Sequence, residues 1–269
     1  MIIKGNSKTK FYKSKTTDPN KKSLFKGYVT ADSLNVRTWA GANHDQCKFS
    51  PLKKGAIVSV CDALLSNDNK TWYYIETGGH YGFVSATYIT SVSEKAIKFV
   101  SLMQTYHNYV KAHGKKFKYQ FQSSMSTFEK VKAAINAGKK VGITCLVPAS
   151  WGLAAMGIKR SDGKARVSGE NGSFKKHYTG GIKTNFDRIT KGGPIGKTCK
   201  GAIDKGLLLP GDFCAFKGRT HTFVYSGEGY IFYEGGHAAM KDGVYTGTRV
   251  DYSKKNAKGV LNEVLRWKS

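Results

Sequence analysis

Three residues in this chain have the types and the order to do covalent chemistry: Cys145, His221 and Glu234. Cys145 lies in the stretch Gly142-Ile143-Thr144-Cys145-Leu146-Val147-Pro148-Ala149-Ser150-Trp151-Gly152-Leu153-Ala154-Ala155-Met156-Gly157-Ile158. A short β-type run ends at the cysteine. A helix-like run, Trp151 to Met156, follows it and is closed by Gly157, and Pro148 sits where a first helical turn tolerates proline. A thiol at a helix N-terminus faces unpaired backbone N–H groups and the positive end of the helix dipole, and both favour the reactive thiolate. Taken alone, the stretch is equally consistent with a packed, inert thiol. The difference lies downstream, where His221 and then Glu234 fall on successive β-type runs. A nucleophilic cysteine needs a base, and the base needs a third polar group to fix its tautomer and orientation. Residues on neighbouring antiparallel strands stand about 5 Å apart, so a histidine on one and an acceptor on the next meet that need.

The elements that must position these residues fall in two patterns. From Gly27 to about Thr90, short β-type runs alternate with turns: Tyr28 to Thr30, Leu34 to Arg37, Ala56 to Cys61, Thr71 to Glu76 and Tyr81 to Val84, with turns at Gly41 to Asn43, Leu52 to Gly55, Asn67 to Asn69 and Gly78-Gly79. Strands this short and this closely spaced predict a small barrel. From Glu94 to about Ala112 the apolar positions Ile97, Val100, Met103 and Val110, broadened by Phe99, Leu102, Tyr106 and Tyr109, predict a helix. His107 and His113 read as polar-face residues of that helix. Lys115 to Phe121 alternates like a strand. Ser126 with Glu129 resembles a capping box for a helix running to Ala137 and stopped by Gly138. Residues 159–181 form a long glycine- and lysine-rich connection, a candidate border for a substrate groove. Gly201 to Gly206 reads as a helix end. Leu208 to Phe216, Thr220 to Gly227 and Tyr230 to His237 read as strands with their turns. The C-terminal stretch reads as polar turns with apolar positions at Val260, Leu261, Val264 and Leu265. Residues 1–26, polar and lysine-rich, read as a basic arm or a loosely held edge segment.

Composition bounds the possibilities. The chain has 269 residues and 40% hydrophobic content, enough for a folded core. A formal charge of +26 draws it to polyanions: nucleic acid, anionic membrane or the anionic polymers of a bacterial wall. No zinc-finger spacing or RNA-binding signature singles out a specific nucleic-acid partner. The five cysteines, Cys47, Cys61, Cys145, Cys199 and Cys214, are odd in number and include no C-x-x-C, so neither a disulfide framework nor a zinc site is expected. Met1 to Asn20 contains no apolar core of a secretory signal, and no run reaches the length of a membrane span. The expected place of synthesis is therefore the cytoplasm.

The N-terminal pattern carries a resemblance. Leu34-Asn35-Val36-Arg37, then Leu52-Lys53-Lys54-Gly55 with Val58-Ser59-Val60, then Trp72-Tyr73-Tyr74-Ile75, then Gly82-Phe83-Val84-Ser85 with Tyr88-Ile89, are similar to the bacterial SH3-type domain. That family's elements appear here in order over residues 27–92. The resemblance implies a wall-binding module. Trp39, in the loop after the Leu-Asn-Val-Arg run, is the ligand candidate, since loops present binding residues on a rigid scaffold. Trp72, Tyr73 and Tyr81 fit either binding or packing.

A second resemblance covers roughly Phe117 to Trp267. Cys145 with Gly157-Ile158, then Leu209-Pro210-Gly211-Asp212-Phe213, then His221 with Tyr225 and Gly227, resemble the NlpC-type cysteine peptidases, the papain-like hydrolases of bacterial cell walls. The family's usual Asp-Cys-Ser-Gly is Thr144-Cys145-Leu146-Val147 here. The third catalytic position corresponds to Glu234 if one extra residue is allowed in the preceding turn, and otherwise to Tyr233, with His237 close by. A carboxylate is the better acceptor for an imidazole N–H, which favours Glu234. The family's tyrosine near the active site is matched by Tyr119. Cys214 reads as core packing, Cys199 as part of a polar turn, and Asp212 as a turn-stabilising residue.

Together these resemblances imply an α+β chain: a small all-β SH3-like barrel, then a papain-like domain with helices packed on an antiparallel sheet. The expected organisation is a basic arm (1–26), a wall-binding domain (27–92) and a catalytic domain (93–269). The implied function is that of a phage endolysin. It is a peptidoglycan hydrolase made without a signal peptide, released by a holin, needing no metal or organic cofactor, and partnered by peptidoglycan and anionic wall polymers. The implied bond lies between D-glutamate and the diamino acid of the stem peptide, with the amide between muramic acid and L-alanine as the alternative. A non-catalytic basic wall- or nucleic-acid-binding protein, and a transferase working through a similar thioester, are the competing classes.

Overall fold

The computed structural model describes residues 2–4, 23–120, 127–158, 184–192, 194–216, 221–253 and 260–268. The expectations for most of the basic arm, for Phe121, for Ser126 as a cap, for the 159–181 connection and for Thr220 lie outside the described residues. The chain divides into two compact units, Met1–Glu94 and Lys95–Ser269. The described residues mix antiparallel sheets with a few helices, an α+β composition.

In the first unit the strands are β1 (Ile2–Lys4), β2 (Phe25–Val29), β3 (Ser33–Leu34), β4 (Leu52–Lys53), β5 (Ile57–Leu65), β6 (Thr71–Thr77), β7 (His80–Ser85) and β8 (Ile89–Val92). The main sheet runs β7-β6-β5-β2-β8, with β1 parallel to the end of β5. Among the described residues it stays open, because β7 and β8 stand at opposite ends of that order and do not pair. The expected closed barrel is thus not formed by these strands. β2 begins at Phe25, inside the stretch assigned to the arm. The β6–β7 hairpin is the tightest turn. Thr77 pairs with His80 across Gly78 and Gly79, whose φ angles of +54° and +78° are those of a type I′ turn.

Strand alternation gives this sheet two apolar faces. One carries Val29, Val36, Val58, Val60, Ile75, Val84 and Ile89. The other carries Trp39, Cys61, Leu64, Trp72, Tyr74 and Phe83. A register shift between Val60 and Asp62 lets β5 contribute to both.

The second unit contains α1 (Glu94–Ala112), β9 (Phe117–Tyr119), α2 (Phe128–Asn136), β10 (Val141–Ile143), α3 (Val147–Ala155), β11 (Phe186–Arg188), α4 (Cys199–Asp204), β12 (Phe213–Phe216), β13 (Thr222–Tyr225), β14 (Ile231–Tyr233), β15 (Met240–Lys241), β16 (Val244–Tyr245), β17 (Arg249–Asp251) and β18 (Leu261–Trp267). The central sheet is antiparallel throughout, in the order β11-β18-β12-β13-β14-β17. The buried stripe of α1 is Ala96, Phe99, Met103, Tyr106 and Val110, so Phe99 and Tyr106 lie at its centre, where the periodicity placed them at its margin. α2 is capped by Thr127, whose hydroxyl accepts from the N–H of Lys130. Gly138 follows at φ +76°, the left-handed stop expected there.

Two readings of the sequence are corrected. Cys199 is the first residue of α4 and fully buried rather than part of a polar turn; Thr198 caps the helix by accepting from Gly201 N–H at 2.9 Å. The C-terminal stretch expected as turns is β18, an interior strand lying between β11 and β12. Its charged members are neutralised from far along the chain. Glu263 accepts from Arg188 at 2.7 Å, and Arg266 donates to both carboxylate oxygens of Asp212 at 2.9 and 2.6 Å.

Candidate active site

The cysteine stands in the turn between β10 and α3. β10 is held by parallel pairing with β9, which sets Ile143 beside Tyr119. α3 begins at Val147, with Pro148 in its first turn, and ends before Gly157 at φ +73°. Cys145 therefore lies just ahead of the helix and is partly accessible.

β13 and β14 bring the other groups to it. Val224 pairs with Tyr233, and Tyr225 with Phe232, so the strand start carrying His221 meets the strand end carrying Glu234. The Oε2 atom of Glu234 contacts Nε2 of His221. The imidazole is also hydrogen-bonded to the Cys145 thiol. The Thr222 hydroxyl stands 3.6 Å from Cys145 Sγ. Gly236 marks the centre of the cluster: a Cβ there would lie 3.1 Å from His221 Cε1, 3.4 Å from Glu234 Oε1 and 3.7 Å from Cys145 Cβ.

Backbone contacts lock the two halves together. Gly235 N–H donates to the carbonyl of Cys145 at 3.3 Å. The Tyr245 hydroxyl lies 2.8 Å from the carbonyl oxygen of Gly235 and 3.2 Å from that of Ile143, straddling the segments on either side of the cysteine. Glu234 N–H donates to Thr248 at 2.8 Å. The Thr248 N–H in turn donates to Nδ1 of His107 at 2.9 Å, as Arg249 N–H does at 3.1 Å. His107 is therefore not the polar-face residue expected from the helix pattern. It is a neutral acceptor, its pKa lowered to about 4 by burial and by the nearby Arg249 and Lys111 charges.

The electrostatics of the pair run against burial. Burial alone would raise the Cys145 thiol, yet the hydrogen bonds from His221 and Thr222 outweigh it and the net displacement is downward. Burial alone would lower His221, yet its hydrogen bonds to Cys145 and Glu234 and their negative charges carry it up to about 9. A lowered thiol beside a raised imidazole favours a thiolate–imidazolium pair. Such a pair can attack a carbonyl and then protonate the departing group.

Among the remaining sequence candidates, Tyr119 is close to the cluster and Trp39 is elsewhere. Tyr119 is 43% exposed and packs against His237, the rings tilted at 35° with centroids 3.8 Å apart. Its phenol is raised by burial and then by the charges of Cys145 and Glu234, which places it within electrostatic reach of both. Trp39 belongs to the first unit and does not stand free in its loop. It is 5% exposed and packs on Phe83 at 5.0 Å, because Arg37 bridges to Phe83 and draws the loop onto the sheet. A cleft of about 300 Å³ is lined by the residues that follow it, Ala40 to Asn43, together with Ser66 to Asp68. Of the alternatives to Glu234, Tyr233 turns away and donates to Gln104 at 2.8 Å, while His237 is engaged with Tyr119. Asp212 performs the turn role expected of it by accepting from Leu209 N–H at 2.8 Å, and it also carries the Arg266 pair.

Sequence reasoning missed Thr222, Gly236 and Tyr252. The Tyr252 hydroxyl lies 2.7 Å from His221 Nε2 and donates to Glu234 Oε2 at 2.9 Å. No local signal marked it, since it stands alone just beyond β17. Among the described residues no group of three or more His, Cys, Asp and Glu side chains is placed to hold a metal ion. No helix among them is long and apolar enough to cross a membrane.

No family model matches the chain, and no curated protein matches it. Among solved structures it is similar to NlpC2 from Trichomonas vaginalis, at 12% identity over 91% of this chain and 73% of that one, with a TM-score of 0.34. It is also similar to NlpC1 from the same organism, at 13% identity over 91% of this chain and 70% of that one, with a TM-score of 0.33.

Proposed function

We propose that this chain is a cysteine hydrolase of amide bonds acting on bacterial peptidoglycan, with Cys145 as nucleophile, His221 as base and acid, and Glu234 as the group that orients the imidazole. The observation that carries the reading is the convergence of these three side chains around Gly236, with the thiol displaced downward and the imidazole upward. In the proposed reaction the Cys145 thiolate attacks the carbonyl carbon. The oxyanion is met by the backbone N–H of Cys145. His221 gives its proton to the leaving amine, and a water deprotonated by His221 then releases the acyl group.

The substrate class rests on the sequence motifs rather than on the site geometry. The Leu-Asn-Val-Arg, Trp-Tyr-x-Ile and Gly-x-Val runs of the first unit support a wall-binding module of the bacterial SH3 type, with the cleft lined by Ala40 to Asn43 and Ser66 to Asp68 as its ligand region and Trp39 packed in the core beside it. The formal charge of +26 supports attraction to anionic wall polymers. Tyr119, accessible beside the thiol, is assigned to substrate contact. The bond proposed is the one between D-glutamate and the diamino acid.

The test is mass spectrometry of purified peptidoglycan digested by the protein, with Cys145→Ala as control. A new amine on the diamino acid, absent with Cys145→Ala, is the expected result. A new L-alanine amine assigns the amidase reaction instead. No new terminus, or one that persists with Cys145→Ala, overturns the hydrolase reading.

A further inference from the structure

Tyr252 lies where none of the motifs pointed and touches both His221, the nucleophile's base, and Glu234, that base's acidic partner. Its side chain is wholly buried, packed on Phe232 and Phe223 at centroid distances of 4.8 and 5.1 Å. Its hydroxyl lies 2.7 Å from His221 Nε2 and donates to Glu234 Oε2 at 2.9 Å. A phenol has a single hydrogen. With that hydrogen committed to Glu234, both oxygens at His221 Nε2, the phenol's and the carboxylate's, can only accept, so Nε2 must carry an N–H that they share. Nε2 then carries the proton in every state of the ring, and Nδ1 is the atom that exchanges a proton with the thiol.

We propose that Tyr252 is a positioning residue of this site: its hydroxyl bridges His221 Nε2 and Glu234 Oε2, fixes the Nε2–H tautomer, and supplies a donor to a buried carboxylate. This rests on the reading of Cys145 and His221 as the working pair. The carboxylate needs the donor. Glu234 is 0% exposed, and its Oε1 has no hydrogen-bond partner among the described residues, so Oε2 carries its polar contacts there. Thiolate, imidazolium and carboxylate together bear one net negative charge in a buried setting. Removing the phenol hydrogen makes that charge harder to hold, so the thiolate forms at higher pH. The other titratable groups facing the cluster are Tyr119 from β9, Tyr245 from β16 and His237 from the turn after Glu234; both phenols are displaced upward, away from the acid side.

The experiment is the pH dependence of iodoacetamide alkylation at Cys145, read by mass spectrometry on its peptide in the folded, full-length protein. Tyr252→Phe keeps the ring packing and removes only the hydroxyl. Its alkylation midpoint is expected to rise by about one pH unit, a tenfold loss of thiolate below the midpoint. Added to Glu234→Gln, the same change should shift the midpoint by no more than Glu234→Gln does alone. A midpoint that stays in place or falls in Tyr252→Phe overturns the positioning role, whatever happens to thermal stability. Wild-type Cys145 titrating as an ordinary thiol overturns the active-site reading, and this one with it. A second measurement needs no variant: a slowly exchanging Tyr252 hydroxyl proton with a through-space contact to the His221 ring is expected by proton NMR, and its absence counts against the bridge.

Discussion

Glu234 meets Nε2 of His221 from beneath the surface: the carboxylate is wholly buried, whereas the imidazole side chain retains 21% exposure. The base thus has one face toward solvent and the thiol and one toward a charge that water does not screen. Replacing Glu234 by Gln keeps the shape and removes the charge. Loss of the orienting carboxylate in serine-protease triads lowers turnover by roughly 10⁴-fold. The expected outcome for Glu234→Gln is a loss of that order with the protein still folded, measured by release of new amines from peptidoglycan. Activity within twofold of wild type would remove Glu234 from the mechanism.

His107 predicts a pH dependence of stability in the second unit. Its folded pKa, about 4, lies below the ordinary value of 6.5. The unfolded chain therefore binds the extra proton first, and stability falls as pH drops from about 6.5 toward about 4. His221 contributes in a different window, because its folded value of about 9 makes its contribution full below 6.5 and lost as pH rises toward 9. Thermal unfolding at stepped pH should show the acid-side loss in wild type and a flatter profile in His107→Gln. An unchanged profile in that variant would assign the acid sensitivity to other groups.

Gly235 allows the two catalytic segments to approach. A Cβ at this position would stand 2.5 Å from the carbonyl oxygen of Thr144 and 3.2 Å from Pro148 Cδ. The first contact is with backbone and cannot be relieved by a rotamer change. Gly235→Ala is expected to force the β14 end away from Cys145, costing roughly 1–3 kcal/mol and lowering Cys145 alkylation at neutral pH. Wild-type reactivity in this variant would show that the segments do not need this spacing.

The Asp212–Arg266 pair should dominate the stability of the β12–β18 contact. Asp212 is 1% exposed and receives both guanidinium bonds, and burial keeps its pKa raised even with Arg266 beside it. Removing the acid leaves Arg266 without its partner, and breaking such a pair costs about 3 kcal/mol or more. Asp212→Ala is expected to lose that much in denaturant unfolding, and a loss below about 1 kcal/mol would count the pair as a surface-like contact.

Attraction between the chain and anionic wall polymers should be weakened by salt. At a charge of +26, wall binding is expected to fall steeply between low ionic strength and about 0.5 M, where screening shortens to a few ångströms. Binding to sedimented walls that is indifferent to salt would assign retention to specific contacts alone.

Local chemistry was legible in the residues wherever neighbours in sequence are neighbours in space. The Gly78-Gly79 turn, the Pro148 helix start, the Gly138 and Gly157 stops and the strand bearing Tyr225 each depend on backbone preferences over a few residues. The order Cys145, His221, Glu234 could likewise be read, because a nucleophile, a base and an acceptor on successive elements form a recognisable sequence of types.

What the tertiary structure decided are relationships across long separations. β18 looked like polar turns because Glu263 and Arg266 interrupt its apolar run. It becomes an interior strand only when Arg188 and Asp212, 75 and 54 residues away, neutralise those charges. Trp39 looked like a loop aromatic until the Arg37–Phe83 bridge drew it onto the sheet. Tyr233, Glu234 and His237 were separable only by strand register, which turns one side chain toward His221, one toward Gln104 and one toward Tyr119. Tyr252 had no signal at all. A phenol becomes part of an acid–base cluster through where its oxygen lands, and that position is set by β14 and β17 pairing, not by the residues beside it in the chain.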